Sequence, residues 1–347
     1  MKNPVRAHDA LAANLPRPYL VFLGEADDSA YAKTARGLRD WAPEACLGEF
    51  ACVGAQTTIG LPVLSPHDAQ RRGARAVVIG VANIGGSVRA SWIPPLVAAL
   101  EAGLDLISGM HGSLCSIEPL RAAAEKYGRR LIDVRTPPAG IPIATGRKRS
   151  GNRLLTVGTD CALGKKYTAL GITRELQRRG VDATFRATGQ TGILIAGGGI
   201  PIDAVISDFV AGAAELLSPD APPDHWDIVE GQGSLFHPSY AGVSLGLLHG
   251  TQPDVVVVCH EVGRDRIKGL EDFATPGLRE TIDLTLQLAR RTNNAVRCAG
   301  VTLNTSSLDS EAAAEIMAKT SRQLRLPVAD PIRGGSAFTA LIDACVA

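Results

Sequence analysis

The sequence predicts an α/β protein with two domains, each built around a parallel sheet. Short apolar runs alternate with helix-like stretches along most of the 347 residues, and this alternation is typical of βαβ units. It stops once, in a segment rich in proline and glycine, and then restarts. Aromatic residues make up only 4% of the chain while glycine occurs 37 times, which suits strand-to-helix turns better than a β-sandwich. At about 150 residues per domain, the length also fits two domains.

The first half contains four predicted strands, all short and apolar, at residues 19–23, 76–79, 104–107 and 131–134. Helices are predicted between them, at residues 30–41, 92–100 and 116–126. Strands joined by helices form parallel sheets with the helices on their faces. The N-terminal domain is therefore predicted to span residues 1–137.

The break at residues 136–152 contains the basic run Arg147, Lys148 and Arg149. We interpret residues 138–152 as a linker that carries these charges in solvent. The alternation resumes in a predicted domain at residues 153–347. Its strands are expected at residues 154–157, 183–185, 228–229, 255–259 and 301–303, and its helices at residues 165–179, 202–217, 277–291, 310–322 and 336–346.

Charge and composition exclude several classes of protein. The 36 basic and 35 acidic residues give a net charge of +1, which argues against nucleic-acid binding. The chain has no apolar stretch of about 20 residues, and residues 1–17 lack the apolar core of a signal peptide, so we expect a cytoplasmic protein without a membrane partner. The seven cysteines form no C-x-x-C pair, and we expect reduced thiols and no metal. A homo-oligomer is expected from the prevalence of symmetric homomers.

The strongest local signal is a glycine-bounded loop between a predicted strand and a predicted helix, at residues 158–165. Backbone amides in such a loop, together with the helix N-terminus, bind phosphate oxygens. We expect the phosphate ligand to be held by Gly158, Thr159, Asp160, Cys161, Ala162, Leu163, Gly164, Lys165, Lys166 and Tyr167.

This loop departs from the usual phosphate-binding motif at two points. Five residues rather than four separate its glycines, and Lys166 stands where a serine or threonine normally ligates Mg²⁺. Thr168 follows two residues later and need not point to the same place. We therefore predict phosphate binding without the usual metal ligand. Cys161 is either a nucleophile or a packing residue, and we favour packing.

Several segments fall in the order seen in dethiobiotin synthetase and the related cobyrinate amidases. Residues 158–165 resemble their phosphate loop, residues 186–192 their substrate loop, and residues 228–234 a segment whose glutamate serves the metal. The resemblance implies an adenine contact from Asn304 and substrate contacts from Arg186, Gln190, Thr191 and Gln232.

The whole chain resembles a narrower family, the D-glutamate N-acetyltransferases. Four motifs carry this resemblance, G-T-D-C-x-x-G-K-K, A-T-G-Q-T-G, E-G-Q-G-S-L-x-H-P and T-L-N-T. It implies a Rossmann-like N-terminal domain and a P-loop C-terminal domain related to dethiobiotin synthetase. It also implies acetyl transfer from acetyl-CoA to the amine of D-glutamate or a close amino acid, in D-amino-acid catabolism. Acetyl-CoA has no γ-phosphate, so a phosphate loop without the Mg²⁺ hydroxyl suits it.

Acetyl transfer to an amine needs a base for the amine and a proton for the leaving thiolate. Glu230 and His237 are the acid–base candidates, because Glu230 directly follows a predicted strand and His237 lies seven residues further on. The alternatives are that Glu230 caps the loop or is a residual metal carboxylate, and that His237 is a structural residue of the loop. His111, which lies near glycines after an earlier strand, is a third catalytic candidate or a structural histidine.

A dicarboxylate substrate also needs cations. Arg186 directly follows a predicted strand and is able to hold a carboxylate through two hydrogen bonds; a structural ion pair is the alternative. Arg264, Arg266 and Lys268 cluster after another strand. There we favour solvated charge over contacts with substrate or CoA.

Two other functions stay open. An ATP- and Mg²⁺-dependent ligase or small-molecule kinase of the dethiobiotin synthetase type is supported by Glu230 and Asn304, and Mg²⁺ is expected only in that case. A nucleotide-binding regulator without turnover ranks third, because it leaves the acid–base candidates unused.

Overall fold

The structure is a computed structural model that describes residues 15–25, 32–81 and 86–347. The described chain divides into two compact units. The N-terminal unit contains the described residues up to Pro137 together with Gln190–Pro201, and the C-terminal unit contains Pro138–Gly189 and Ile202–Ala347. Each unit has a parallel sheet flanked by helices, as the sequence predicts.

The N-terminal unit is built on a parallel sheet with the strand order β2-β1-β3-β4-β5. The strands are β1 Tyr19–Phe22, β2 Cys46–Phe50, β3 Ala76–Ile79, β4 Asp105–Ser108 and β5 Leu131–Asp133. The helices are α1 Lys33–Trp41, α2 Pro66–Arg71, α3 Ile93–Glu101 and α4 Glu118–Tyr127. The order reverses direction between β1 and β3, as in doubly wound, Rossmann-like folds.

Strand β2 is the main element of this unit that the sequence did not predict. Its short run contains Gly48 and Glu49, which are both uncommon in strands. Glu49 is nevertheless 2% exposed, because its carboxylate accepts hydrogen bonds from the amides of Ile59 at 3.0 Å and Leu61 at 3.3 Å. The predicted helix at residues 30–41 is observed from Lys33; residues 30 and 31 lie outside the described residues.

The C-terminal unit is built on a second parallel sheet, with the strand order β13-β12-β9-β6-β8-β7. These strands are β6 Asn152–Gly158, β7 Ala183–Arg186, β8 Trp226–Val229, β9 Val255–Glu261, β12 Arg297–Asn304 and β13 Val328–Ala329. An unpredicted antiparallel hairpin, β10 Arg266–Ile267 and β11 Leu270–Ala274, follows β9.

The helices of this unit are α5 Lys165–Arg178, α7 Val210–Leu217, α8 Ala241–Thr251, α9 Leu278–Ala289, α10 Ser310–Leu324 and α11 Gly335–Val346. The predicted helix at residues 202–217 is an α-helix only over α7, with two short 3₁₀ turns before it. Helix α6, Gln190–Ala196, is interposed in the chain but belongs to the N-terminal unit.

Helix α8 was not predicted because it is rich in glycine, which is a poor helix former. Its glycines serve close packing against α7. A Cβ atom on Gly250 would lie 2.1 Å from the carbonyl oxygen of Ala211, and one on Gly246 would lie 2.6 Å from Val210 Cγ1. Tertiary packing therefore overrides the local preference of this segment.

The basic run predicted to be solvated is only partly so. Arg147 is exposed and paired with Asp220, but Arg149 is 6% exposed. Its Nη2 donates to the carbonyl oxygens of Gly250 at 2.7 Å and Thr251 at 2.9 Å. Burial lowers the pKa of Arg149 to about 10, helped by repulsion from Arg153. The segment is therefore part of the C-terminal unit, where Arg149 binds the carbonyl groups at the end of α8.

Replacing Arg149 with alanine should destabilise the fold by about 2 kcal/mol or more, because two helix-end carbonyls lose a charged donor. Urea unfolding followed by circular dichroism measures this change. The neighbouring Arg147→Ala is the matched control and should cost about 1 kcal/mol at most, since its ion pair is exposed. Equal effects for the two variants would contradict a structural role for Arg149.

Within the described residues, no helix is long and apolar enough to cross a membrane.

Candidate functional site

The carboxyl ends of parallel strands bring the predicted site residues of the C-terminal unit to one edge of its sheet. The register pairs Gly158 of β6 with Cys259 of β9, and Asn304 of β12 with Glu261 of β9. Glu230 directly follows β8. Open α/β sheets bind their ligands at this edge.

The phosphate loop runs from the end of β6 to the start of α5. The residue before the helix, Gly164, has a φ of 106°, a backbone conformation that favours glycine. A Cβ atom on Gly158 would lie 3.1 Å from the carbonyl oxygen of Cys259 and 3.3 Å from Lys165 Nζ. Gly164 therefore suits the turn into the helix, and Gly158 lets the loop approach β9 closely.

Two consecutive lysines open helix α5. Lys165 is 6% exposed and its Nζ donates to the carbonyl oxygen of Asp160 at 2.7 Å. Burial lowers the pKa of both Lys165 and Lys166, and the nearby Glu230 carboxylate partly opposes the shift in each. A helix N-terminus with two lysines favours an anionic ligand.

Asp160 anchors the loop from within. Its Oδ2 accepts hydrogen bonds from the amide of Lys268 at 2.9 Å and from Arg264 at 3.0 Å, and its Oδ1 accepts one from the Cys161 amide at 2.6 Å. Burial alone would raise the pKa of Asp160, but these donors lower it below its ordinary value. Arg264 is therefore a structural partner of the loop, whereas solvated charge was favoured from the sequence; Arg266 and Lys268 are exposed.

The nearest hydroxyl further along the helix, that of Thr168, is bonded to the sheet. Thr168 is 2% exposed, and its Oγ1 lies 3.0 Å from Oγ1 of Thr302 on β12. The side chain of Thr168 is thus engaged with the sheet. The position that normally carries the Mg²⁺ hydroxyl is occupied by Lys166.

Glu230 is held by the loop that follows β7. Its Oε2 accepts hydrogen bonds from the amides of Thr188 at 3.0 Å and Gly189 at 3.1 Å. The Thr188 hydroxyl donates to the Glu230 carbonyl oxygen at 2.7 Å and accepts from Gln232 Nε2 at 2.8 Å. Burial raises the pKa of Glu230, against the opposing influence of Lys166 and the two amides. A buried carboxylate of raised pKa is suited to proton transfer.

His237 is 3% exposed and stacks on Tyr240, with ring centroids 4.4 Å apart. The amide of Ser239 donates to its Nδ1 at 3.1 Å. An amide nitrogen can only donate, so the ring proton of this tautomer is on Nε2. Nε2 is therefore a hydrogen-bond donor rather than a base.

Three residues with potential metal-ligand atoms lie close together. They are Asp160, Cys161 and His237, and one such atom from each lies within 4.8 Å of the other two. Their hydrogen bonds do not suit a metal ion. Both Asp160 oxygens already accept from protein donors, and a metal-bound histidine donates from its second nitrogen, whereas Nδ1 of His237 accepts. We therefore assign no metal to this cluster.

Two other predicted residues of this unit have defined partners. Arg186 is 9% exposed, and its Nε donates to Asp227 at 2.6 Å. Asn304 Oδ1 accepts from the amide of Ser306 at 3.1 Å. The substrate contact of Arg186 and the adenine contact of Asn304 stay predictions.

The remaining predicted site residues belong to the N-terminal unit. His111 is exposed in the loop after β4. Gln190 and Thr191 begin helix α6, where Thr191 Oγ1 lies 3.0 Å from Thr34 Oγ1. The catalytic role of His111 and the substrate contacts of Gln190 and Thr191 also stay predictions.

The sequence did not point to Thr188 or to the amide of Lys268, which position Glu230 and Asp160. Thr188 lies inside the A-T-G-Q-T-G motif, so the motif carried a signal for it. Lys268 contacts Asp160 through its backbone amide. Every residue except proline has such an amide, so the residue type at position 268 could not predict this contact.

The fold and this edge define a two-domain α/β protein with a phosphate-binding loop. Residues 47–137 match the family described as DUF1611_N, a Rossmann-like domain, and residues 142–340 match DUF1611_C, a P-loop domain, both of unknown function. The chain belongs to the DUF1611 family.

Similar proteins extend over almost the whole chain. A protein named D-glutamate N-acetyltransferase from Tritonibacter scottomollicae is 48% identical over 95% of this chain and 98% of its own length. Another protein of that name, from Pseudoalteromonas sp., is 45% identical over 92% of this chain and 96% of its own length. The crystal structure of a DUF1611 family protein from Anabaena variabilis has a TM-score of 0.81 and 32% identity, covering 95% of this chain and 98% of that one.

These relatives confirm the resemblance drawn from the four motifs. They also confirm the predicted class of enzyme, an acyltransferase.

Proposed function

We propose that the protein transfers the acetyl group of acetyl-CoA to the amine of D-glutamate, as a step in D-amino-acid catabolism. The relatives named D-glutamate N-acetyltransferase, at 45–48% identity over more than nine-tenths of the chain, support this substrate. The proposal includes small-molecule substrates and a homo-oligomeric assembly.

The observation that carries the choice of donor is the phosphate loop without its metal hydroxyl. Lys166 occupies that position, and Thr168 is bonded to Thr302. A nucleoside triphosphate needs Mg²⁺ to bridge its phosphates, whereas the pyrophosphate and 3′-phosphate of CoA are bound by amides and lysines alone. The loop amides, the N-terminus of α5, Lys165 and Lys166 supply those groups.

The chemistry of the transfer is assigned to groups at the same edge. Glu230, buried and of raised pKa, takes the proton that the amine of the substrate must lose. His237 donates from Nε2 to the thioester carbonyl oxygen, which gains negative charge during attack. Gln232, which is held by Thr188, contacts the amino acid.

Isothermal titration tests the donor. Acetyl-CoA should bind in the micromolar range without Mg²⁺, and Lys165→Ala should weaken it about tenfold or more, since a charged hydrogen bond contributes about 1.5 kcal/mol or more. Lys319→Ala, at an exposed position of α10, is the matched control and should bind normally. Binding of ATP–Mg²⁺ but not acetyl-CoA would contradict the proposal and favour a ligase or kinase.

A further inference from the structure

Cys161 lies at the centre of the phosphate loop and is partly buried. Its sulfur is within 4.8 Å of a ring nitrogen of His237 and of a carboxylate oxygen of Asp160. The functions assigned above leave this thiol unused, although it is near both the anion-binding lysines and the proposed carbonyl donor. Packing was favoured for this residue from the sequence, and a nucleophile was the alternative.

The groups around Cys161 can stabilise a thiolate once it forms. Burial raises the pKa of this thiol and the Asp160 carboxylate adds to that effect, while the cations Lys165, Arg264 and Lys268 act in the opposite direction. These three cations are the groups that stabilise a thiolate at this position.

His237 provides a second, independent observation at the same place. His237 is 3% exposed, and its Nδ1 accepts a hydrogen bond from the amide of Ser239. Within the described part of the chain, no hydrogen bond engages Nε2. His237 Nε2 is thus an available donor for a ligand atom that carries developing negative charge, on a ring that lies near the thiol.

We propose that Cys161 receives the acetyl group from acetyl-CoA before the amino acid does, so that catalysis passes through an S-acetyl-Cys161 enzyme. This inference rests on the proposed function and specifies its mechanism.

Two exchanges at the carbonyl carbon make up the reaction. The sulfur of Cys161 attacks the thioester carbon, and the proton of its thiol passes to the sulfur of CoA as that sulfur leaves. The bond from that carbon to the CoA sulfur breaks, and CoA leaves with the electron pair and this proton. The amine next attacks the S-acetyl carbon, the bond to Cys161 breaks, and the proton lost by the amine restores the thiol. Each half exchanges one acyl bond for another, with no oxidant or reductant.

Mass spectrometry of the full-length protein tests this inference directly. Incubation with acetyl-CoA in the absence of any amine should add one acetyl group to the peptide that contains Cys161. The adduct should be removed by neutral hydroxylamine, which cleaves a thioester but not an acetylated lysine. Isotope-labelled CoA should also exchange into acetyl-CoA without amine, as expected for ping-pong kinetics.

Cys161→Ala should lose the adduct and the exchange, and its kcat should fall by at least about a hundredfold with a small change in the KM for acetyl-CoA. Thermal unfolding checks that it folds, and Cys161→Ser provides a second variant of nearly the same size. Cys115→Ala, at an exposed cysteine, is the matched control and should behave as the unaltered protein.

The outcomes separate this inference from the proposed function. Acetylation of D-glutamate without adduct or exchange, and with an active Cys161→Ala, would overturn the S-acetyl intermediate alone. An adduct without acetylation of D-glutamate would support the intermediate and contradict the substrate. Neither turnover nor adduct would overturn both.

Discussion

Glu230→Gln should lower kcat by about 10²–10⁴-fold, the contribution typical of a positioned general base. The glutamine keeps the size of the side chain, and its carbonyl oxygen still accepts the amides of Thr188 and Gly189. The KM for acetyl-CoA should therefore change little. Steady-state release of CoA in the presence of the amino acid measures both constants.

The pH dependence follows from the same residue. Burial raises the pKa of Glu230, and a base works only when it is deprotonated. Activity should therefore be present above that raised pKa and be lost as the pH falls through it. The charged form also costs folding free energy at neutral pH, because the pKa is higher in the folded state than in the unfolded state. Glu230→Gln should for this reason not lower the melting temperature.

The control for this variant is Glu315→Gln on the exposed surface of α10, which should keep full activity. If the kcat of Glu230→Gln is within threefold of that of the unaltered protein, Glu230 is not the general base.

Gly231→Ala should destabilise the C-terminal unit by about 3 kcal/mol or more, since it forces backbone apart rather than a flexible side chain. A Cβ atom there would lie 1.6 Å from the carbonyl oxygen of Thr156 and 3.1 Å from Lys165 Cδ. The amide of Gly231 also donates to Thr156 Oγ1 at 2.9 Å. The shift should move Glu230 and Lys165 and abolish activity in whatever fraction still folds. Thermal unfolding measures the loss.

Gly242→Ala provides the matched control. Gly242 lies in α8, with no atom within 4 Å of the position of its Cβ. Alanine there should be neutral or stabilise by about 0.4–1 kcal/mol. A melting temperature of Gly231→Ala equal to that of Gly242→Ala would show that the strand and loop do not pack as described.

The strands that the sequence predicted well are those whose burial follows directly from an apolar run. Residues 76–79 were predicted with the bounds observed for β3, because every side chain there is buried on both faces of the sheet. Strand β2 was missed because Glu49 is stabilised by amides that lie 10 and 12 residues further along the chain. Helix α6 was predicted neither as a helix nor in its unit, because only the tertiary structure returns Gln190–Pro201 to the N-terminal unit.

The candidate site divides in the same way. The phosphate loop and Glu230 could be predicted, since each directly follows a strand and the ends of parallel strands converge. The anchoring of Asp160 by Arg264 could not, because these residues are 104 positions apart. The tautomer of His237 depends on a backbone amide two residues further on, and no pattern of residue types reveals such a bond.

The most direct test of the proposed function is an assay of the purified full chain with acetyl-CoA and each enantiomer of glutamate, without ATP or Mg²⁺. The proposal predicts that CoA is released and that N-acetyl-D-glutamate, identified by mass spectrometry after chiral separation, forms in equal amount. The L-enantiomer should react more slowly. If neither enantiomer yields N-acetylglutamate and acetyl-CoA stays intact, the assignment is contradicted.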